Sequence, residues 1–392
     1  MSSVHNLRPE LVGIQGMNAF FMHNSSPRGI MFGSHFAQHI TLIEADEHPI
    51  VTEYHYEMAK YTFGVRMPRD GTIVKVIPKV KPSISGHNFN PESTVIFRDM
   101  DGMYDSFKIP YKIAHHQHFG FRAVPNPAIP RITEGMSFRK DTTFADSPGV
   151  KEDGSYAYGR VLNIAFMTHQ SSAEDAVIFS QSAIEKMKFR VYYKRTLNVT
   201  PDCFLLNLHG DDSNYKPIPD LGDFVGEQNI LMCTRQHSSL YTPTDMSVKA
   251  CQTVDFISDK PVFAAGPGGK VVDIEVIGNH GDIARLPHEM REQLNSYRKM
   301  TTEYHRNIYQ TVMKLRADEE RMVGKGNAKI SEGLKREAVV GMAITNHASH
   351  ILKPTLSLNH RMEPLGEVRI TITLEYEITP HKAFKITDSH GG

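Results

Sequence analysis

From Leu286 to Val323 the chain carries one uninterrupted helical pattern, which limits the possible folds more than any other stretch. Met290, Leu294, Tyr297, Thr301, Tyr304 and Ile308 recur at spacings of 4, 3, 4, 3 and 4, the period of one apolar face on a helix. Pro287 stands near the first helical position and Gly324-Lys325-Gly326 closes the run, which are ordinary start and stop residues. Such a helix is about 57 Å long. Ser331 to Leu352, stopped before Pro354, is a second helical run. The pair is expected to form an antiparallel arm projecting from a β-rich body.

The remainder reads as strands and turns. Asp70 to Ile77 is a turn followed by alternating apolar positions, Thr94 to Phe97 is a further strand, and Gly268 to Ile277 nearly repeats the first. Short strands broken by Pro, Gly and Asn turns fill 190–285. In Glu367 to Ile378 the residues Val368, Ile370, Ile372, Leu374 and Tyr376 alternate with Glu, Arg and Thr, the clearest strand in the chain. Val161 to Met167 and Ala176 to Phe179 read as two buried strands around a polar loop, and Ser182 to Glu185 as a capping box opening a short helix. Residues 149–157 read as a Gly/Asp/Ser-rich linker.

Lys+Arg and Asp+Glu balance at 44 each, so the chain as a whole has no net attraction for nucleic acid. Basic clusters at Lys60 to Lys81 and Lys186 to Arg195 are either local contact surfaces or solvated faces. Cys203, Cys233 and Cys251 stand far apart, which fits neither a disulfide framework nor a zinc ribbon and suits a reducing compartment. The N-terminus has no apolar signal core, and no run approaches the length of a membrane span.

Two places concentrate chemistry. Glu174 and Asp175 are adjacent carboxylates between apolar stretches, where unpaired charge is costly. They call for a cation, or else they form a surface turn paired with Lys186 or Lys188. In His23-Asn-Ser-Ser-Pro-Arg28, Ser and Pro signal a helix start, and from Gly29 to about Ile43 the pattern is helix-compatible. Arg28 then sits in the first turn, where a cation opposes the macrodipole. Its partner is an anion such as a phosphate, or a neighbouring acid. Three other motifs are set aside. Asp99 to Asp105 has Met103 in place of a third acid and reads as a β-turn. His115, His116 and His118 alternate faces and leave too few ligands for zinc. Gly266 to Lys270 is too short for a phosphate loop and precedes a strand.

Taken in order, the apolar stretch ending in Met167, the polar loop, Glu174-Asp175, a second apolar stretch, Ser180-x-Ser182 and a helix resemble a block of the second-largest (β) subunit of multisubunit RNA polymerases. The loop before Glu174 is shorter than the family's and lacks its glycine and aromatic. His23 to Arg28, followed after nine residues by Gln38, resembles the archaeal and eukaryotic form of that subunit without a gap. Gly135 to Pro148 resembles the family's approach to the Glu-Asp block. Near the end, Lys385 and His390-Gly391 match a family loop, while Phe384 and Ser389 replace its aspartate and arginine.

The resemblance implies a mixed, mainly β fold: a double-psi β-barrel and β-rich hybrid-binding region, with a flap carrying a long helical hairpin. Residues 1–200 would be the hybrid-binding and active-site region, 201–360 a flap-like β region with its arm at about 286–352, and 361–392 a returning barrel strand and a truncated active-site loop. It implies a subunit of a phage-encoded DNA-dependent RNA polymerase, inactive alone because the aspartate triad lies on the largest subunit. Arg28, Gln38, Lys385 and His390 would bind nucleotide or RNA, and Glu174 and Asp175 the second Mg²⁺, directly or through water. Expected partners are the N- and C-terminal parts of a divided β subunit, β′-like fragments, DNA template, nascent RNA and nucleoside triphosphates, with no membrane. Split subunits of this kind resemble those of giant bacteriophages, which places the protein in the infected host's cytoplasm or the virion. The competing reading is a non-enzymatic β-rich viral structural or scaffold protein with a helical arm.

Overall fold

The long helix lies along the β-rich body in the computed structural model, which describes residues 13–80, 92–116, 118–129, 131–168, 170, 177–200, 203–226, 229–237, 257–264, 268–277, 283–284, 286, 288–324, 328–345 and 368–380. The helices are α1 (Ser26–Ala37), α2 (Glu53–Tyr61), α3 (Gln181–Lys186), α4 (His288–Val323) and α5 (Glu332–Thr345). The first strands are β1 (Val65–Arg66), β2 (Gly71–Lys79), β3 (Glu92–Asp99), β4 (Tyr104–Ile109) and β5 (Lys112–His116). Then come β6 (Phe119–Arg122), β7 (Val124–Pro125), β8 (Ser137–Phe138), β9 (Thr143–Asp146), β10 (Phe189–Val199) and β11 (Cys203–Leu205). The last are β12 (Phe224–Gly226), β13 (Ile230–His237), β14 (Ile257–Phe263), β15 (Gly268–Ile277) and β16 (Val368–Ile378).

Among the described residues these strands form a six-stranded sheet in the order β12-β15-β16-β10-β6-β5, a four-stranded sheet β4-β3-β2-β8, and three-stranded sheets β1-β9-β7 and β11-β13-β14. The six-stranded sheet is built around β10 and β16, antiparallel in register from Phe189↔Ile378 to Val199↔Val368. Its apolar side holds Val191, Leu197, Ile370, Ile372, Leu374 and Tyr376, packed with Val271 and Ile274 of β15. The alternation of β16 therefore does place one side in the core. The other side is not all at the surface, because Thr373 and Glu375 are buried as well. The Asp99 to Asp105 stretch is the β3–β4 hairpin, with the Asp99 carboxylate accepting from the Asp101 and Met103 amides at 3.0 and 2.7 Å.

The arm differs from expectation in its placement. At 36 residues, α4 is about 54 Å long, and its apolar face does two jobs. Met290, Leu294 and Tyr297 cover the six-stranded sheet, while Tyr304, Ile308 and Val312 pack on Ile77, Ile96 and Tyr104 of the four-stranded sheet. Each such side chain stabilises by roughly 1.5–3 kcal/mol on burial, so a helix projecting into solvent would forgo what its pattern offers. Helix α5 folds back beside it. A Cβ on Gly341 would come within 2.4 Å of the His305 carbonyl oxygen and 2.8 Å of the Tyr309 Cβ, so glycine is what lets the two backbones meet. The arm is thus a strap joining two sheets. Gly324, at φ 100°, ends α4 in the left-handed conformation that glycine adopts readily.

Three further expectations are corrected. Residues 161–168 and 177–180 are irregular and exposed rather than buried strands, because an apolar run makes a strand only where a neighbouring backbone pairs with it. Helix α3 begins two residues earlier than the capping box suggested, with Ser180 as its N-cap accepting from the Ala183 amide at 3.2 Å. The supposed linker at 149–157 is a tight turn closed by a Val150–Tyr156 bridge, and Tyr156 and Ala157 are buried. Of the second expected helix, residues 332–345 are helical, and 346–352 lie outside the described residues.

Candidate functional site

Helix α1 carries the first candidate residues. Ser25 is its N-cap in extended conformation, Pro27 lies in the first turn, and no acid accompanies Arg28 there. Phe36 packs the helix onto Met17, Ala59 and Tyr156, with Phe32, Tyr54 and Tyr158 around them. A Cβ on Gly29 would come within 2.6 Å of the Phe21 ring, so the chain before the helix lies directly against it. Arg28 stays exposed, with Nη1 3.9 Å from the Met31 sulfur. Gln38 is the C-cap and is also exposed. Ten residues of helix separate the two by about 15 Å, so the fold does not bring these side chains together.

What it does bring together are the bases of the two sequence blocks. Leu42 bridges to Phe189, and the Ile43 amide donates to the Lys188 carbonyl at 2.9 Å. The Asp46 amide donates to the Gly159 carbonyl at 2.8 Å, and the Asp46 carboxylate accepts from the Val161 amide at 2.8 Å. Arg160 adds ion pairs to Asp46 at 3.3 Å and to Glu44 at 3.7 Å. One short segment after α1 therefore grips both feet of the 161–188 excursion. Glu174, Asp175, Lys385 and His390 lie outside the described residues.

A stack of rings holds α1 to this base. His39 Nδ1 donates to the Phe36 carbonyl at 2.6 Å, which leaves Nε2 to accept from the Tyr156 hydroxyl at 2.8 Å. His48 lies 4.3 Å from the Tyr158 ring and 4.8 Å from that of His55. Burial pushes all three histidines below their usual pKa, and His55 and Lys151 push His48 further down by repulsion.

The basic clusters resolve differently. In the first, Lys60 pairs with Glu57 at 2.5 Å, Arg66 with Asp146 at 3.6 Å and Arg69 with Asp99 at 3.2 Å. Lys75 pairs with Glu134 at 2.6 Å, and Lys79 lies between Glu92 at 3.4 Å and Glu275 at 3.5 Å. Those cations are neutralised within the fold. In the second cluster Arg190 is held by Glu377 at 2.7 Å and Glu375 at 3.7 Å. Lys186, Lys188, Lys194 and Arg195 are exposed and make no ion pair among the described residues.

Over 171 residues the chain is 26% identical to the DNA-directed RNA polymerase subunit beta of Thermosipho melanesiensis. The two are distantly related. The aligned stretch is 43% of this chain and spans only 14% of the polymerase subunit's length. No protein-family model matches the chain.

Sequence reasoning missed the polar side of the six-stranded sheet. Glu375 of β16 receives both guanidinium donors of Arg122 from β6, and Arg122 in turn stacks on Tyr111 at 5.4 Å. Beside it, Lys112 sits with a buried Nζ 4.8 Å above the Tyr192 ring and without a hydrogen-bond partner among the described residues. Burial lowers its pKa to about 8. The ring can lie there because residue 120 is glycine: a Cβ would meet the Ile113 carbonyl oxygen at 2.5 Å and the ring at 3.0 Å. No local sequence signal marks these contacts, since their partners lie far apart in the chain.

Proposed function

We propose that this chain forms part of the β-type subunit of a DNA-dependent RNA polymerase and lies beside its nucleotide site. The observation that carries the reading is the distant likeness to a polymerase β subunit. It is supported by two resembling blocks whose bases share the 42–46 anchor. On this reading Arg28 offers a planar fork to nucleotide phosphate, and Gln38, Lys385 and His390 contact nucleotide or RNA. Glu174 and Asp175 are oxygen donors of the kind Mg²⁺ takes, usually one or two carboxylates with several waters. A bound ion would neutralise developing phosphate charge, while this chain's own residues position the substrate. Among the described residues no group of three or more His, Cys, Asp or Glu is placed to hold a metal.

The finer expectations belong to the same proposal. They are a double-psi barrel, a flap built on the α4–α5 strap, and a divided subunit encoded by a giant bacteriophage. The test is Glu174→Ala with Asp175→Ala in the assembled enzyme. Assembly should persist, nucleotide addition should slow, and the Mg²⁺ requirement should rise. Unchanged elongation at low Mg²⁺ would remove the site assignment.

A further inference from the structure

Helix α1 is thinly held for an element that carries a candidate residue. Of its 12 residues only Gly29 and Phe36 are buried, and Ile30 is 64% exposed. A helix of this length is marginal in water by itself, so whatever fastens α1 decides where Arg28 stands. We infer that His39 is a positioning residue, which latches the last turn of α1 to Tyr156 and so fixes the helix that presents Arg28. The role of Arg28 rests on the polymerase reading, whereas the latch is a property of the isolated chain.

The imidazole of His39, just past the C-cap Gln38, makes three contacts at once. It stacks on the Phe36 ring with centroids 4.4 Å apart. Its Nδ1 donates to the Phe36 carbonyl at 2.6 Å, one of the last-turn carbonyls that a helix leaves short of partners. Its Nε2 accepts from the Tyr156 hydroxyl at 2.8 Å. Tyr156 is itself fixed in the body: it is buried, its amide donates to the His55 carbonyl at 3.2 Å, and it bridges to Val150. One ring therefore ties the end of α1 to a side chain that cannot move with the helix. Donating at one nitrogen while accepting at the other requires a neutral imidazole, and burial favours that form by pushing the His39 pKa down. A bond between two such buried groups is costly to lose, because the partner left behind is unpaired. When the latch opens, α1 samples other orientations, and only part of the population presents Arg28 to a ligand. Apparent affinity then falls by that fraction, which raises KM and leaves kcat at saturation unchanged.

The test begins with Tyr156→Phe, which removes one hydroxyl and keeps the buried ring. In the purified chain, hydrogen exchange of the α1 amides should speed up about fivefold, the effect of one hydrogen bond on local opening, while the β10 and β16 amides keep their rates. His39→Phe keeps a ring against Phe36, loses both bonds and should speed exchange further. His39→Gln offers an oxygen to the Tyr156 hydroxyl and should recover part of the loss. In the assembled enzyme, Tyr156→Phe should raise the nucleotide KM about threefold with kcat kept. Unaltered α1 exchange in both Phe variants would overturn the latch independently of the polymerase reading. Faster α1 exchange with an unchanged KM, where Arg28→Ala does raise KM, would overturn the positioning role alone. A KM indifferent to Arg28→Ala would remove the assignment of Arg28, and the positioning role with it.

Discussion

Arg122 and Glu375 lock β6 to β16 across the intervening strand β10, with both guanidinium donors closed on one carboxylate. The Glu375 side chain is 4% exposed and Arg122 40% exposed. Removing the arginine strands a buried carboxylate that Arg190 still approaches at 3.7 Å. Arg122→Ala is expected to destabilise by roughly 2–3 kcal/mol, short of the full buried-pair cost because the arginine is partly solvated. Arg122→Met with Glu375→Leu should recover much of that loss. Chemical denaturation of the natural chain and the two variants checks both statements.

Lys112 sets a pH dependence at the other end of the spectrum. Its folded pKa of about 8 lies below the unfolded value of about 10.4. Between those values the unfolded chain binds the extra proton, so this group's penalty is full below pH 8 and is relieved as pH rises toward 10.4. Asp273, Glu92 and Glu375 oppose the shift and Lys194 adds to it. Lys112→Met should therefore stabilise at pH 7 by roughly 2 kcal/mol. The gain over the natural chain should shrink as pH rises from 8 to 10, measured as the difference between two denaturation series.

The histidines predict the opposite edge. His39, His48 and His55 have folded pKa values pushed down by burial, and His305 is pushed down to about 4. As pH falls through about 6.5 the unfolded chain gains protons that the folded chain refuses, so stability falls from there downward. Thermal unfolding between pH 7.5 and 5 should show this slope. His48→Phe should flatten it by removing one of these titrating groups, and among the described residues His48 Nε2 has no hydrogen-bond partner to lose.

Arg28 is solvent-exposed, so its replacement should leave stability within about 0.5 kcal/mol. On the proposed polymerase reading, Arg28→Ala in the assembled enzyme should raise the KM for nucleotides, and Arg28→Lys should restore binding only in part because the fork is lost. Steady-state kinetics at limiting nucleotide checks this.

How much was legible follows from where each signal resides. The faces of α4 and β16 are written locally, in spacings of three to four residues or two, and Gly324 marks the stop of α4. The start of α1 is likewise local, in Ser25 and Pro27. The 161–179 stretch misled because Val161 to Met167 specify apolarity without specifying a partner strand. The arm was misplaced because Met290 and Ile308 declare a buried face but not which sheets cover it. The grip of Asp46 on Val161, and the pairing of Arg122 with Glu375, join residues more than a hundred positions apart. Only the fold makes such neighbours. Glu174-Asp175 and His23 to Arg28 are short blocks read without tertiary context, and what the fold adds to them is the 42–46 anchor, which joins stretches distant in sequence.

The central claim is membership in a transcribing assembly. The most direct measurement is to affinity-purify the tagged chain from the cells that produce it, identify what co-purifies, and assay the complex for template-dependent RNA synthesis. The polymerase reading requires a stoichiometric partner carrying the catalytic aspartate triad, and RNA synthesis that depends on DNA template and Mg²⁺. Recovery of the chain alone, or only with capsid-type proteins and without template-dependent synthesis, would contradict it.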